Sequence, residues 1–497
     1  MKRLILAAVF AMGLVAAAEA QEAAVTQADI KAIIERLNKL EAENKAQAKR
    51  IAELENQNKA LAEKQARTEA AVAKAEPKGE GAAAADESTK VSESGKVFTT
   101  DKGYKYYLAD ATAGIFQPLS DNGLKITPYG WLTFEAIHNT HKTDVDAYTD
   151  WVRPRRNGGR NGDHQTVFSM NDSILGFEFE VPEEYEGWKF HGKFEFDLAG
   201  DHANDPDFHF RHLYFDMDNA KSGWNILFGQ TWHLWKMVTP SEIDGAWLEQ
   251  AGHPYRRSPQ IRVTKRWEWD DSKLEVRAGL VKNGNGMGGD RDDDENQDNS
   301  ASAWCLLEGA VVYQHKAFWE EGGRSWLVGL GGMYGRDKSH RVYYTGAYGP
   351  SDEYDTDMVM VAAQVPFLEK FTLTGQLFAG ENLKGVQGGI GQGVGFRHYD
   401  MSRKGREVST VGGFVDLKYE LNDKWSFALG YGFDDPTDSE ARDAAGRTYN
   451  ARAYVDAFYR FNEQLHFGLE YARLQTKYYY EGDADDDRFQ FTAYYDF

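Results

Sequence analysis

The chain has 497 residues, a formal net charge of −21, a single cysteine, 49 glycines and 13% aromatic residues. Mean hydropathy is −0.62, and past residue 20 no run of about 18 apolar residues occurs, which excludes helical membrane spans. Cys305, with no partner, excludes an internal disulfide and a cysteine-based metal cluster, and nothing in this acidic chain points to nucleic acid. A polar average rich in Tyr, Phe and Gly fits strands that face lipid on one side and water on the other, a profile that soluble all-β proteins share.

Residues 1–20 read as a signal peptide: Lys2 and Arg3, an apolar stretch from Leu4 to Ala18, then Ala18-Glu19-Ala20 as the cleavage site. No cysteine follows, so a lipoprotein is not expected. Residues 21–73 read as a periplasmic coiled coil. Ile30, Leu37, Asn44, Ile51, Asn58, Gln65 and Val72 fall at a; Ile33, Leu40, Gln47, Leu54, Leu61 and Thr68 fall at d. Arg36 with Glu41, Arg50 with Glu55 and Lys64 with Glu69 place opposite signs at g and the following e. Ile at both a and d in the first heptad leans toward three strands. Residues 74–96, rich in Ala, Glu, Gly, Ser and Lys, read as a flexible linker. Residues 97–123 read as a periplasmic connecting segment forming a helix or turn.

From residue 124 the chain alternates in period-two segments of roughly nine to sixteen residues, separated by turns that are alternately short and long. Sixteen such segments are predicted, with short turns such as Pro182 to Glu186, Asn219 to Ser222 and Asn462-Glu463. That alternation is expected of a transmembrane barrel with tight periplasmic turns and longer outer loops. The predicted class is therefore all-β: a sixteen-stranded antiparallel transmembrane β-barrel over residues 124–497, preceded by an α-helical coiled coil. Sixteen strands enclose an aqueous lumen.

The last segment, Arg488 to Phe497, sets Phe489, Phe491, Ala493, Tyr495 and Phe497 on one face. It resembles the closing strand of bacterial outer-membrane barrels, which implies that Tyr495 and Phe497 act as the signal read by the barrel assembly machinery.

No stretch reads as an enzyme, and no cofactor or metal site is expected. Gly284-x-Gly286-x-x-Gly289 matches a dinucleotide fingerprint, but Asp290, Asp292, Asp293 and Asp294 follow it instead of an amphipathic helix. His209 and His212 read as wall residues. Acid concentrates at Asp290 to Asp298, Asp352 to Asp357, Asp434 to Glu440 and Glu481 to Asp487. This suggests solvated outer loops, or loops bridged to anionic lipid headgroups by divalent cations.

The informative loop is Trp232 to Ser258, the longest of the N-terminal half. It carries His233, Lys236, His253, Arg256 and Arg257 with Glu242, Asp244 and Glu249, the acids of open direction. On the next two strands Ile261, Val263, Trp267 and Trp269, then Leu274, Val276, Ala278 and Leu280, face lipid. A charge on that face costs about 2–4 kcal/mol at the midplane, so Arg262, Arg266 and Glu268, then Lys273, Glu275 and Arg277, face inward. Lys236, Arg256, Arg257, Arg262, Arg266 and Arg277 are the candidate constriction residues. Arginine's rigid fork suits carboxylates, and pairing with the neighbouring Glu residues to stiffen the wall is the alternative.

Gly229-Gln230-Thr231-Trp232 and Arg257-Ser258-Pro259-Gln260-Ile261-Arg262 resemble the DcaP-like porins. That resemblance implies a homotrimer in the outer membrane, among lipid and lipopolysaccharide, with a periplasmic coiled coil and passive uptake of small organic anions. A second reading is an envelope tether whose coiled coil binds peptidoglycan.

Overall fold

The computed structural model describes the strands Val97–Thr99 and Lys105–Tyr107 and residues 124–154, 162–199, 208–283, 304–316, 324–342, 348–397, 400 and 402–497. The expected signal peptide, coiled coil and linker lie outside the described residues, as do Gly284 to Gly289 and the acidic run that follows. Within 97–123, Val97–Thr99 pairs antiparallel with Lys105–Tyr107, a strand pair where a helix or turn was expected.

Apart from the short pair Val394–Gly395 with Arg406–Glu407, the remaining described strands form one closed antiparallel sheet. Its strands are β1 (Lys125–Asn139), β2 (Gln165–Ser169 with Ile174–Tyr185), β3 (Trp188–Asp197), β4 (His209–Asn219), β5 (Trp224–Trp232), β6 (Arg257–Trp269), β7 (Ser272–Val281) and β8 (Trp304–Lys316). There follow β9 (Ser325–Val342), β10 (Tyr348–Phe367), β11 (Phe371–Glu381), β12 (Ser409–Glu420), β13 (Trp425–Pro436), β14 (Arg447–Arg460), β15 (Leu465–Tyr478) and β16 (Ala484–Asp496). Both halves of β2 pair with β1, so among the described residues the barrel has sixteen staves. Every stave pairs with its sequence neighbour, and β16 pairs with β1 to close the ring. Phe497 finishes the seam by exchanging both backbone hydrogen bonds with Gly130, at 3.1 and 3.3 Å. A Cβ on Gly130 would lie 2.4 Å from the Ile174 carbonyl oxygen, so glycine is required at that joint.

Alternation decides which side chains face out. Leu469 is 59% exposed, Val455 58% and Ile261 50%, while their strand neighbours Glu470, Asp456 and Gln260 are buried inside. An aliphatic wall of that extent is the lipid belt of a transmembrane barrel. Phe371 stacks against Tyr419 and Trp425 lies tilted against Tyr459, each with centroids 4.6 Å apart, beside the short turns. Amphipathic rings at that level sit at a membrane interface. The first short turn is a two-residue hairpin: Tyr185 pairs with Trp188, and Glu186 and Gly187 take φ of 50° and 85°, the left-handed pair that matches strand twist.

Three features depart from the sequence expectation. β9 and β10 run past the apolar belt as a tall hairpin, with Arg336 opposite Asp355 and Lys338 opposite Glu353. Backbone pairing continues there after the hydrophobic alternation has stopped. β2 breaks at Met170–Ser173, turning Asp172 inward against Gly245. The acidic runs are not free loops throughout. Asp434 is buried, accepting from Thr410 and from the Gly389 N–H, and Asp485 and Asp487 both accept from Arg473.

Candidate functional site

The long loop between β5 and β6, residues 233–256 (L3), folds into the barrel. Its two ends carry the motif residues. Gly229 has φ of 126°, and a Cβ there would lie 2.3 Å from the Leu213 carbonyl oxygen, so only glycine lets β5 press onto β4 at that point. Gln260 Nε2 donates to the carbonyls of Thr231 (2.9 Å) and Trp232 (3.0 Å). Ser258 Oγ meets His233 Nε2 at 3.0 Å, and Glu308 holds both the His233 ring and the Leu234 N–H. The GQTW and RSPQ stretches therefore fasten the loop's base.

The loop then crosses the lumen and docks on the far wall. Arg452 Nη1 of β14 donates to Glu242 at 2.7 Å and to Asp244 at 2.9 Å, and its other nitrogen donates to the Thr149 carbonyl. Arg488 Nε of β16 lies 3.2 Å from Asp244. Glu470 accepts from the Ile243 and Asp244 N–H groups, Ser241 Oγ donates to Asp416, and Asn450 and Gln376 donate to the Gln250 and Gly252 carbonyls. Close approach needs small wall residues: a Cβ on Gly432 would sit 2.1 Å from the Ala251 carbonyl oxygen, and one on Gly468 2.8 Å from Ile243 Cδ1. Loops 140–164 (L1) and 382–408 (L6) reinforce the plug. Asn450 donates to the Asp150 carbonyl, and the Gly391 N–H and Gln387 both engage Gln250.

With the far side filled, open space remains on the near side of L3, beside β1–β6. There a cavity of 860 Å³ is lined by Asp172, Asp197, His209, Arg211, Trp247, Glu249, Tyr255, Arg256 and Arg257, among others. A β-bulge opposite Glu195 and Phe196 lets Arg211 turn inward next to His212. Arg211 donates to Glu195 at 2.7 Å and to Asp197 at 2.6 Å. Arg257 stacks 4.2 Å from the Trp232 centroid, and Lys236 Nζ lies 4.7 Å from the same ring, two cation–π contacts on one indole.

No known family model and no curated protein matches this chain. Among solved structures it superimposes on the outer membrane channel DcaP of Acinetobacter baumannii with a TM-score of 0.56. Identity is 17% over 76% of this chain and 98% of that one. The fold is that of an outer-membrane porin. An anion-selective porin from Comamonas acidovorans matches at a TM-score of 0.48 and 12% identity, covering 75% of this chain and 100% of that one. Salmonella typhi OmpF matches at 0.47 and 13%, covering 76% and 99%.

On this porin fold the sequence-predicted residues divide. Lys236 and Arg256 lie on L3, Arg262, Arg266 and Arg277 at inward positions of β6 and β7, and Arg257 at the first position of β6, on the parity of Ile261 yet lining the cavity; they do not form one cluster of free cations. Arg266 is ion-paired with Asp218. Arg277 is held by Glu275 at 2.6 Å and by the Leu234 carbonyl at 3.2 Å. Arg256 donates to the Gly385 carbonyl at 3.2 Å, and Lys236 to Thr239 Oγ1 at 2.5 Å. Arg257 Nη1 and Arg262 Nε are buried without a hydrogen-bond partner. Arg266 and Arg277 are thus paired with neighbouring acids, whereas Arg257 and Arg262 carry no such ion pair among the described residues. The acids left open in direction are settled: Glu242 and Asp244 engage the far wall, and Glu249 accepts from Tyr255 Oη at 2.8 Å.

Arg211, Arg452 and Arg488 had not been singled out. Arg211 depends on a bulge that period-two counting cannot register. Arg452 and Arg488 sit at inward parity on β14 and β16, but parity alone did not mark them, because their partners lie more than 200 residues away in sequence.

Burial pushes the Glu249 carboxyl up to about 7, against the opposing Tyr255 hydrogen bond. It pulls the Lys236 ammonium down to about 8, with the charges of Arg257 and Arg211 adding to the effect. It pulls the His253 ring down to about 3, so His253 is neutral at physiological pH, with Nδ1 2.7 Å from the Trp247 carbonyl.

Proposed function

We propose that the protein is an outer-membrane channel for passive diffusion of small hydrophilic solutes, favouring small organic anions such as carboxylates. The observation that carries this reading is the division of charge across L3. The loop's acids Glu242 and Asp244 are neutralised on the far wall, while Arg256 and Arg257 line the open cavity on the near side. Selectivity follows the charge at the narrowest point, where low-dielectric walls focus the field. The chain's net −21 matters less, because exposed outer charges are screened beyond a Debye length of about 8 Å. Arg256, Arg257 and Arg262, with Lys236, would meet the anion; Arg266 and Arg277 would hold the wall beside them. Tyr495 and Phe497 would serve as the assembly signal. Single-channel recording in a planar bilayer under a salt gradient tests the reading: the zero-current potential takes the sign of the anion, and cation selectivity would refute it.

The pH dependence has a defined sign. Near pH 6 Lys236 is charged and Glu249 neutral; near pH 9 Lys236 is neutral and Glu249 charged. The constriction loses one positive charge and gains one negative. Anion preference should therefore fall as pH rises across this interval, and Glu249→Gln should remove the lower part of the change.

The protein assembles as a homotrimer in this reading, supported by the heptads and by the likeness to DcaP-like porins. Chemical crosslinking of purified protein should yield dimer and trimer bands, and monomer alone would refute it.

A further inference from the structure

We propose that the outward wall carries a transition-metal site built from His138 and His164, separate from the lumen. His138 ends the outward-facing row Leu132, Phe134, Ala136 on β1, opposite Thr166 on β2 and Phe489 on β16. His164 lies in L1, two residues before Thr166. His138 Nε2 and His164 Nδ1 are 3.4 Å apart. Two nitrogens bound to one tetrahedral ion at about 2.0–2.1 Å lie about 3.3–3.4 Å from each other. The rings are tilted by 36° with centroids 5.5 Å apart, neither stacked nor crossed.

The outer shell matches as well. His138 Nδ1 is hydrogen-bonded to Thr166 Oγ1 at 2.8 Å. With its hydrogen on Nδ1, His138 donates there and turns the Nε2 lone pair toward His164. A metal-bound histidine is held in its tautomer by such a contact to its second nitrogen. The pair stands at the upper edge of the lipid belt: Phe134 and Phe168 stack below it at 5.8 Å, and one register step above, β16 turns to Asp487, paired with Arg473. His164 is exposed at that level. Among the described residues no third His, Cys, Asp or Glu completes a cluster, so the other coordination positions are open to solvent. Imidazole donors favour Cu²⁺, Ni²⁺ or Zn²⁺ over hard cations such as Mg²⁺.

The test uses untagged, purified full-length protein titrated with Cu²⁺ and followed by electron paramagnetic resonance. The expected result is one copper per chain with splitting from two nitrogens. His138→Phe and His164→Phe should each abolish that signal. Thr166→Val keeps both ligands and should weaken binding about tenfold. Unchanged single-channel conductance establishes that the variants are folded. Absence of a two-nitrogen signal in the wild type, or its persistence in either His variant, overturns the site.

Discussion

Replacing Arg257 and Arg262 together by glutamate is expected to reverse the sign of the zero-current potential in a salt gradient, with barrel assembly unchanged. These two residues carry buried N–H groups without a partner; the other cations at the site are already engaged. A guanidinium not already committed to a carboxylate can take up a solute carboxylate, and the bidentate geometry makes that contact strong. At a separation of about 4 Å and an effective dielectric near 20, one charge pair is worth about 4 kcal/mol. Each 1.4 kcal/mol or so is tenfold in an equilibrium constant. Inverting two charges is therefore ample to change the preferred ion. The matched control is the double replacement Arg266→Gln with Asp218→Asn, which removes an ion pair without altering net charge and should leave selectivity near that of the wild type. If Arg257 and Arg262 can be inverted with no change in selectivity, they are structural and the anion reading fails.

The second large effect is expected at the far wall. Arg452→Met should release L3, raise single-channel conductance and open the loop to added protease. Arg452 is 1% exposed, donates to Glu242 and Asp244, and also holds the Thr149 carbonyl of L1. Its removal leaves two carboxylates buried against Glu470 and Asp456. Breaking a buried pair from one side costs about 3–5 kcal/mol, because the surviving charge is uncompensated. A loop anchored by a handful of such contacts cannot absorb that loss in place. Arg452→Lys is not a substitute, since one ammonium cannot span three acceptors in a planar fork. Adding Glu242→Gln and Asp244→Asn to Arg452→Met should restore much of the closure, which separates electrostatic anchoring from simple packing. Unchanged conductance in Arg452→Met would show that L3 is held by its base and glycine seats alone.

Much of the barrel was legible in the sequence because membrane strands obey a local rule. Each must alternate, since one face meets lipid and the other water, so Ile261, Val263, Trp267 and Trp269 announce β6 without reference to any other part of the chain. The stave count, the short turns and the outward faces could all be read that way. So could the inward direction of Arg262, Arg266 and Arg277. Where local alternation stops, the reading stopped short: β9 and β10 continue above the apolar belt through pairing of polar residues, and β2 breaks at Met170–Ser173. What only the tertiary structure decided is which charges remain free. Arg266 and Arg262 occupy equivalent inward positions four residues apart, yet one is ion-paired with Asp218 across the sheet and the other keeps its Nε without a hydrogen bond. Glu242 and Asp244 are quenched by Arg452 and Arg488, brought to them only when the ring closes and L3 crosses it. Parity along a strand settles a side chain's direction; what it meets there depends on barrel closure, on bulges such as the one at Arg211, and on the path of a loop, none of which has a period in the sequence.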